Sequence, residues 1–99
     1  MPKKALVIHP RDNVATALED LYEGEEVEIE RGGRVVRVTA RARIPFGHKI
    51  AIERIRRGEE VIKYGEAIGI ASADIEIGDH VHVHNVESTV GRREKKEVN

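Results

Sequence analysis

Apolar and polar side chains alternate along much of the first half of the chain, with the period of two expected of strands that bury one face. Residues 4–9 (KALVIH) form an opening apolar stretch, and Pro10 biases His9 toward extended backbone. Residues 12–13 turn the chain into a second strand at residues 14–18 (VATAL). Residues 25–31 (EEVEIER) put Val27 and Ile29 on one face and acidic groups on the other. Gly32-Gly33 predicts a hairpin, because glycine reaches positive φ without steric cost, and residues 34–43 (RVVRVTARAR) return as the partner strand.

The second half carries shorter runs. A tight connection at residues 44–48 (IPFGH) leads into a strand at residues 49–52, and residues 53–57 have room for a single helical turn or a bend. Residues 61–64, 67–73, 75–77 and 80–84 read as short strands between glycine-containing turns. Gly69 interrupts an apolar run, which marks a bulge or a close approach of another backbone. The pattern predicts a compact, mainly β domain of curled hairpins over residues 1–90, followed by a charged, flexible tail at residues 91–99 (GRREKKEVN). Overlaying the halves adds a constraint. Residues 17–27 (ALEDLYEGEEV) align without a gap on residues 51–61 (AIERIRRGEEV) at an offset of 34, so two similar supersecondary units around one core are expected.

Composition narrows the function classes. Ninety-nine residues suit one domain and make a complete catalytic pocket the exception. One Phe, two Tyr and no Trp argue against a base-stacking platform, and a formal charge of −1 argues against a dedicated nucleic-acid binder. The locally basic run at residues 31–43 reads first as an ion-paired strand face. The absence of cysteine removes thiol catalysis and thiolate metal ligation. Apolar runs are short and no apolar leader precedes Lys3, so a soluble, cytoplasmic chain without membrane association is expected.

Candidate chemistry concentrates in residues 79–85 (DHVHVHN), which hold three of the five histidines. On a regular strand His80, His82 and His84 would share one face opposite Val81 and Val83, with i and i+2 side chains nearly 7 Å apart. Two imidazoles can lean onto one ion more readily than three, and Asp79 lies on the other phase. A site shared with groups from elsewhere is therefore the better expectation, with His9 and His48 as candidates to approach it. His48 sits beside Gly47, which permits close ligand approach, and Lys49 supplies a positive charge for a carboxylate. Asp12 and Asn13 either orient polar ligands at an exposed turn or bond back to the local backbone. Lys63 and Tyr64 read as an outward lysine and a tyrosine capping the core. No phosphate-binding loop, dinucleotide fingerprint or serine elbow is present.

Four segments in order, HPRDNVATAL at 9–18, IPFGHKIAI at 44–52, GEEVIKYGEAIG at 58–69 and GDHVHVHN at 78–85, resemble the amino-terminal domain of the altronate dehydratase family. That family also includes galactarate dehydratases and the small subunit of sulfolactate sulfo-lyases, and the resemblance covers about residues 4–90. It implies a SAF domain with a pseudo-duplicated β-clip fold. It further implies a helper subunit of a two-component sugar-acid hydro-lyase, inactive alone, acting with a separate large catalytic subunit to form a 2-keto-3-deoxy acid. A divalent metal, usually iron, is implied in the complex, with none held tightly by this chain alone. His48, His82 and His84 are the implied catalytic-site residues, Asp12, Asn13, Lys49 and Asn85 the substrate-binding or cleft-bordering ones, and His80 with His82 the metal ligands shared with the partner. Val83 replaces the alanine of the altronate branch, and galactarate dehydratases differ at this stretch. The small subunit of (2R)-sulfolactate sulfo-lyase and a stand-alone sugar-acid-binding or assembly module are the alternative readings, and homo-oligomerisation is left open.

Overall fold

The computed structural model describes residues 3–88. The expected tail at residues 91–99 lies outside the described residues. Among the described residues nine strands follow in order: β1 (Ala5–Leu6), β2 (Val14–Ala17), β3 (Glu26–Arg31), β4 (Arg34–Thr39), β5 (Lys49–Ala51), β6 (Glu60–Lys63), β7 (Glu66–Ala71), β8 (His80–Val81) and β9 (Val86–Ser88). They make a six-stranded sheet, ordered β4-β3-β1-β2-β5-β8, and a three-stranded sheet, ordered β6-β7-β9. Among the described residues there is no helix, so none crosses a membrane. The mainly β expectation holds, and residues 53–57 form a bend rather than a helical turn.

Alternation places the core. Val27 and Ile29 of β3 are buried while Glu28 and Glu30 reach the surface, as the period of two requires. One apolar cluster gathers Leu21, Val27, Ile29, Ile44 and Ile50, and a second gathers Val14, Ile55, Val61, Ile75 and Val81.

These clusters belong to two copies of one unit. Leu21 bridges Ile44 in the first, and Ile55, 34 residues after Leu21, bridges Ile75 in the second. The carboxylate of Glu25 accepts from the Tyr22 amide, and that of Glu59 accepts from the Arg56 amide in the same way. Gly47 N–H donates to Ala17 C=O, and Gly78 N–H donates to Ala51 C=O. Each unit has a two-residue hairpin loop with both residues at positive φ: Gly32-Gly33 between β3 and β4, and Tyr64-Gly65 between β6 and β7. Tyr64 is thus an exposed turn residue under Lys63, not the core cap expected from its neighbours. Strand β5 belongs to both units, closing the first against β2 and opening the second toward β8.

The register between β6 and β7 shifts between Val61 and Ile62, which is the bulge announced by Gly69. A Cβ at Gly69 would lie 2.4 Å from Val86 Cγ1, so glycine there lets β9 approach. Residues 75–77 contribute a single bridge instead of a strand, because their backbone groups bond to the Ile55 bend and to the Asp79 turn. The basic run is ion-paired: Arg31 with Glu53, Arg37 with Glu28, Arg41 with Asp79 and Arg43 with Asp20.

Asp12 and Asn13 bind the first unit to the second. Asp12 is completely buried, and its carboxylate accepts from His9 N at 3.0 Å and from Gly65 N at 2.9 Å. The Asn13 side chain accepts from Ile62 N and donates to Glu60 C=O. Replacing Asp12 with alanine leaves two amides without an acceptor, and a loss of about 2 kcal/mol is expected. The urea midpoint checks this, and Asp12→Asn, which keeps one acceptor oxygen, should recover part of the loss.

Candidate functional site

The histidine-rich segment is not one strand. Pairing of β8 with β5 ends at Val81, and residues 82–85 turn. Asn85 makes that turn: its Oδ1 accepts from His82 N at 3.0 Å, its Nδ2 donates to His80 C=O at 2.9 Å, and its own N–H donates to His82 C=O. The strand expected over residues 80–84 is therefore corrected to a two-residue strand and an Asn-closed turn. A side-chain amide that both accepts and donates satisfies backbone groups a longer strand would have left at a sheet edge.

The turn gathers the imidazoles more tightly than a flat strand would. His48 stands immediately before β5, and Ile50 pairs with His80, so sheet pairing brings residues 32 apart in sequence together. His48 Nδ1 lies 2.8 Å from His80 Nε2, a hydrogen bond whose donor depends on the tautomer. The His48 and His82 rings stack with centroids 4.1 Å apart, and His80 lies 5.1 Å from His48 and 5.4 Å from His82. One nitrogen from each of His48, His80 and His82 falls within 4.8 Å of the others. His84 is exposed, with its ring 5.2 Å from that of His80. His9 is occupied elsewhere: its Nδ1 accepts from Arg11 N, and its ring lies against Gly65.

The packing holds two of the rings below the ordinary imidazole range. Burial, and then the neighbouring His84, His48, His82 and Lys49, hold His80 down at about 4. His82 is lowered by desolvation and by His48, Lys49 and His84. Burial lowers the Lys49 ammonium as well, aided by the charge of Lys63. In an unfolded chain His80 would titrate near its ordinary 6.5. As pH falls from about 6.5 toward about 4, the unfolded state takes up a proton that the native His80 refuses. Stability is therefore expected to fall across that window, and from this group to be level above it. Urea midpoints measured through the window should fall less for His80→Gln than for the unaltered chain.

Beside the rings runs a groove of about 240 Å³, lined by Lys49, Ile68, His82, Val83, Val86 and Ser88. The expected residues thus divide. His48, His80 and His82 converge, Lys49 joins them at the groove, and His84 flanks His80. Asn85 shapes the backbone beneath them, while Asp12 and Asn13 have their side chains committed to the β6–β7 hairpin. The apolar wall of Ile68, Val83 and Val86 was not legible from spacing. The contact of His48 with the cluster had a signal, since GHKI at 47–50 aligns with GDHV at 78–81 and places β5 and β8 as equivalent strands.

A family model described as altronate/galactarate dehydratase SAF domain matches residues 3–89. The chain belongs to that family. Altronate dehydratase of Escherichia coli (strain K12) is 48% identical over 83 residues, covering 84% of this chain and 16% of that enzyme. Altronate dehydratase of Bacillus subtilis (strain 168) is 40% identical over 88 residues, covering 89% of this chain and 17% of that enzyme. The chain therefore spans about one sixth of these relatives. The (2R)-sulfolactate sulfo-lyase subunit alpha of Paracoccus pantotrophus is 53% identical over 49 residues, covering 50% of this chain and 73% of the subunit. For this SAF domain, the histidine cluster and the groove beside it are the candidate site.

Proposed function

We propose that this SAF domain serves as the helper subunit of a two-component sugar-acid dehydratase, with the core chemistry in a separate large subunit. The convergence of His48, His80 and His82 beside Lys49 carries this reading, because it joins nitrogen donors and a cation at one open groove. A relative similar to half of this chain and named as a subunit supports the two-component arrangement.

The reaction removes the proton beside a carboxylate and expels hydroxide from the next carbon, giving an enol that becomes a 2-keto-3-deoxy acid. The donor set fits a divalent transition metal such as iron(II), since imidazole nitrogens suit such ions and no thiolate or carboxylate competes within the cluster. His48, His80 and His82 would hold that ion, which when bound would supply Lewis acidity to the departing hydroxyl. Lys49 faces the groove, where its ammonium pairs with the substrate carboxylate. Ile68, Val83 and Val86 form the apolar side of that groove. The exposed His84 lies where the large subunit would meet the cluster.

The test is dehydration of D-altronate by this chain, by the candidate large subunit and by their mixture, with and without iron(II). Activity confined to the iron-supplied mixture supports the reading. No activity together with no complex by light scattering overturns it. The 73% coverage of the sulfo-lyase subunit favours a second reading, small subunit of a (2R)-sulfolactate sulfo-lyase, so sulfolactate belongs in the same assay with sulfite release as its readout.

A further inference from the structure

The resemblance implies only His80 and His82 as metal ligands, and a site made of two imidazoles needs a partner to complete it. The fold adds His48. Three nitrogen donors then come from one chain, within 4.8 Å of one another.

We propose that this SAF domain by itself binds one borderline divalent transition-metal ion through His48, His80 and His82, leaving further coordination positions open toward the groove. The proposal rests on the metal-holding role given above to the cluster, and adds that the ion binds without the large subunit. Metal–nitrogen bonds of about 2.1 Å limit any two donors on one ion to a separation of about 4.2 Å. A gap as wide as 4.8 Å closes by about 0.6 Å to reach that limit, and by about 1.4 Å to reach the roughly 3.4 Å between neighbouring ligands on a tetrahedral ion, through rotation of the rings. The 2.8 Å approach of His48 Nδ1 to His80 Nε2 already lies near the spacing of adjacent ligands, and the ion replaces the hydrogen bond between them.

The backbone that carries the donors is fixed before any ion arrives. Pairing of β5 with β8 sets His48 against His80, and the Asn85 amide grips the backbone at both His80 and His82. Asn85 is thus a positioning residue of the site rather than a ligand. Asp79 stands aside, with one oxygen near Arg41 and the other accepting from Glu76 N, which leaves an all-imidazole set. Three neutral nitrogen donors favour cobalt, iron, nickel and zinc over magnesium and calcium, and three protein ligands are the number found where an ion keeps a position open for a ligand. Lys49, on the groove side, opposes the cation and recruits an anion to it.

The experiment titrates the full chain with cobalt(II), following visible ligand-field bands and heat, in competition with millimolar magnesium and calcium. One equivalent should bind, unaffected by magnesium or calcium. His48→Ala and His82→Ala should each weaken binding by more than the roughly 10- to 100-fold typical of changes outside the ligand shell. Asn85→Asp, which loses the donor to His80 C=O, should weaken it within that range. His9→Ala, outside the cluster, should leave it unchanged. Absence of saturable cobalt binding, or binding indifferent to both His48 and His82, overturns the proposal. Cobalt binding without turnover of the mixed subunits would instead count against the dehydratase reading, and iron-dependent turnover without binding to this chain would count against the inference alone.

Discussion

Replacing His48 with alanine is expected to lower turnover of the proposed two-component dehydratase by about two orders of magnitude or more, within the range of a lost acid–base or metal-positioning group. His48 touches both other members of the cluster, bonding to His80 and stacking on His82, so its removal disperses the set and not one ring alone. Its side chain is only half-buried and its ring bonds to the His80 ring, so the melting temperature and the affinity for the large subunit should change little. His82→Ala should reproduce the loss. The double variant should be little worse than either single one, because groups acting as a unit lose their effect together. Kinetics of the four proteins, with complex formation followed by light scattering, decide the matter. Equal loss of assembly and turnover would make the cluster an interface, and a doubled loss in the double variant would make the two rings independent.

Gly78→Ala is expected to cost about 4 kcal/mol of folding stability, from left-handed backbone strain and a backbone clash acting together. Gly78 has φ of +96°, and a Cβ there would lie 2.1 Å from Thr39 C=O and 3.2 Å from Arg41 Cγ. The residue is held on both sides: its N–H donates to Ala51 C=O and its C=O accepts from Arg41 N. Backbone cannot yield there without parting the end of β4 from the turn that leads into β8. A small domain has only about 5–15 kcal/mol in total, so this one methyl group removes a large share. Gly24 is the control, with a similar φ of +87° and nothing within 4 Å of an added Cβ. Gly24→Ala should cost about 1 kcal/mol. Denaturant midpoints for the two variants separate backbone strain from close approach, and equal losses would refute the clash as the larger cause.

Some of this protein was legible because the relevant physics is local. Alternation of Val27 and Ile29 with Glu28 and Glu30 placed β3 and its buried face, since side chains two apart on a strand point the same way. Gly32-Gly33 placed a hairpin because few other residues take positive φ at both positions. The 34-residue echo announced the two units, and Leu21 and Ile55 do form matching bridges.

Other features depended on which distant backbone groups meet. Asp12 and Asn13 have the composition of a self-contained turn, yet their side chains serve the β6–β7 hairpin some fifty residues on. Residues 80–84 alternate as a strand should, but Asn85 captures the His82 amide and the His80 carbonyl and turns the chain instead. His48 meets His80 only because β5 is shared between the two units. The sequence by itself determined most of the strands and turns, the duplication and the imidazole-bearing segments, all set by preferences acting over a few residues. Only the tertiary structure decided that three imidazoles from two segments share one site, because strand partners and close approaches are chosen by closing the sheets around a common core.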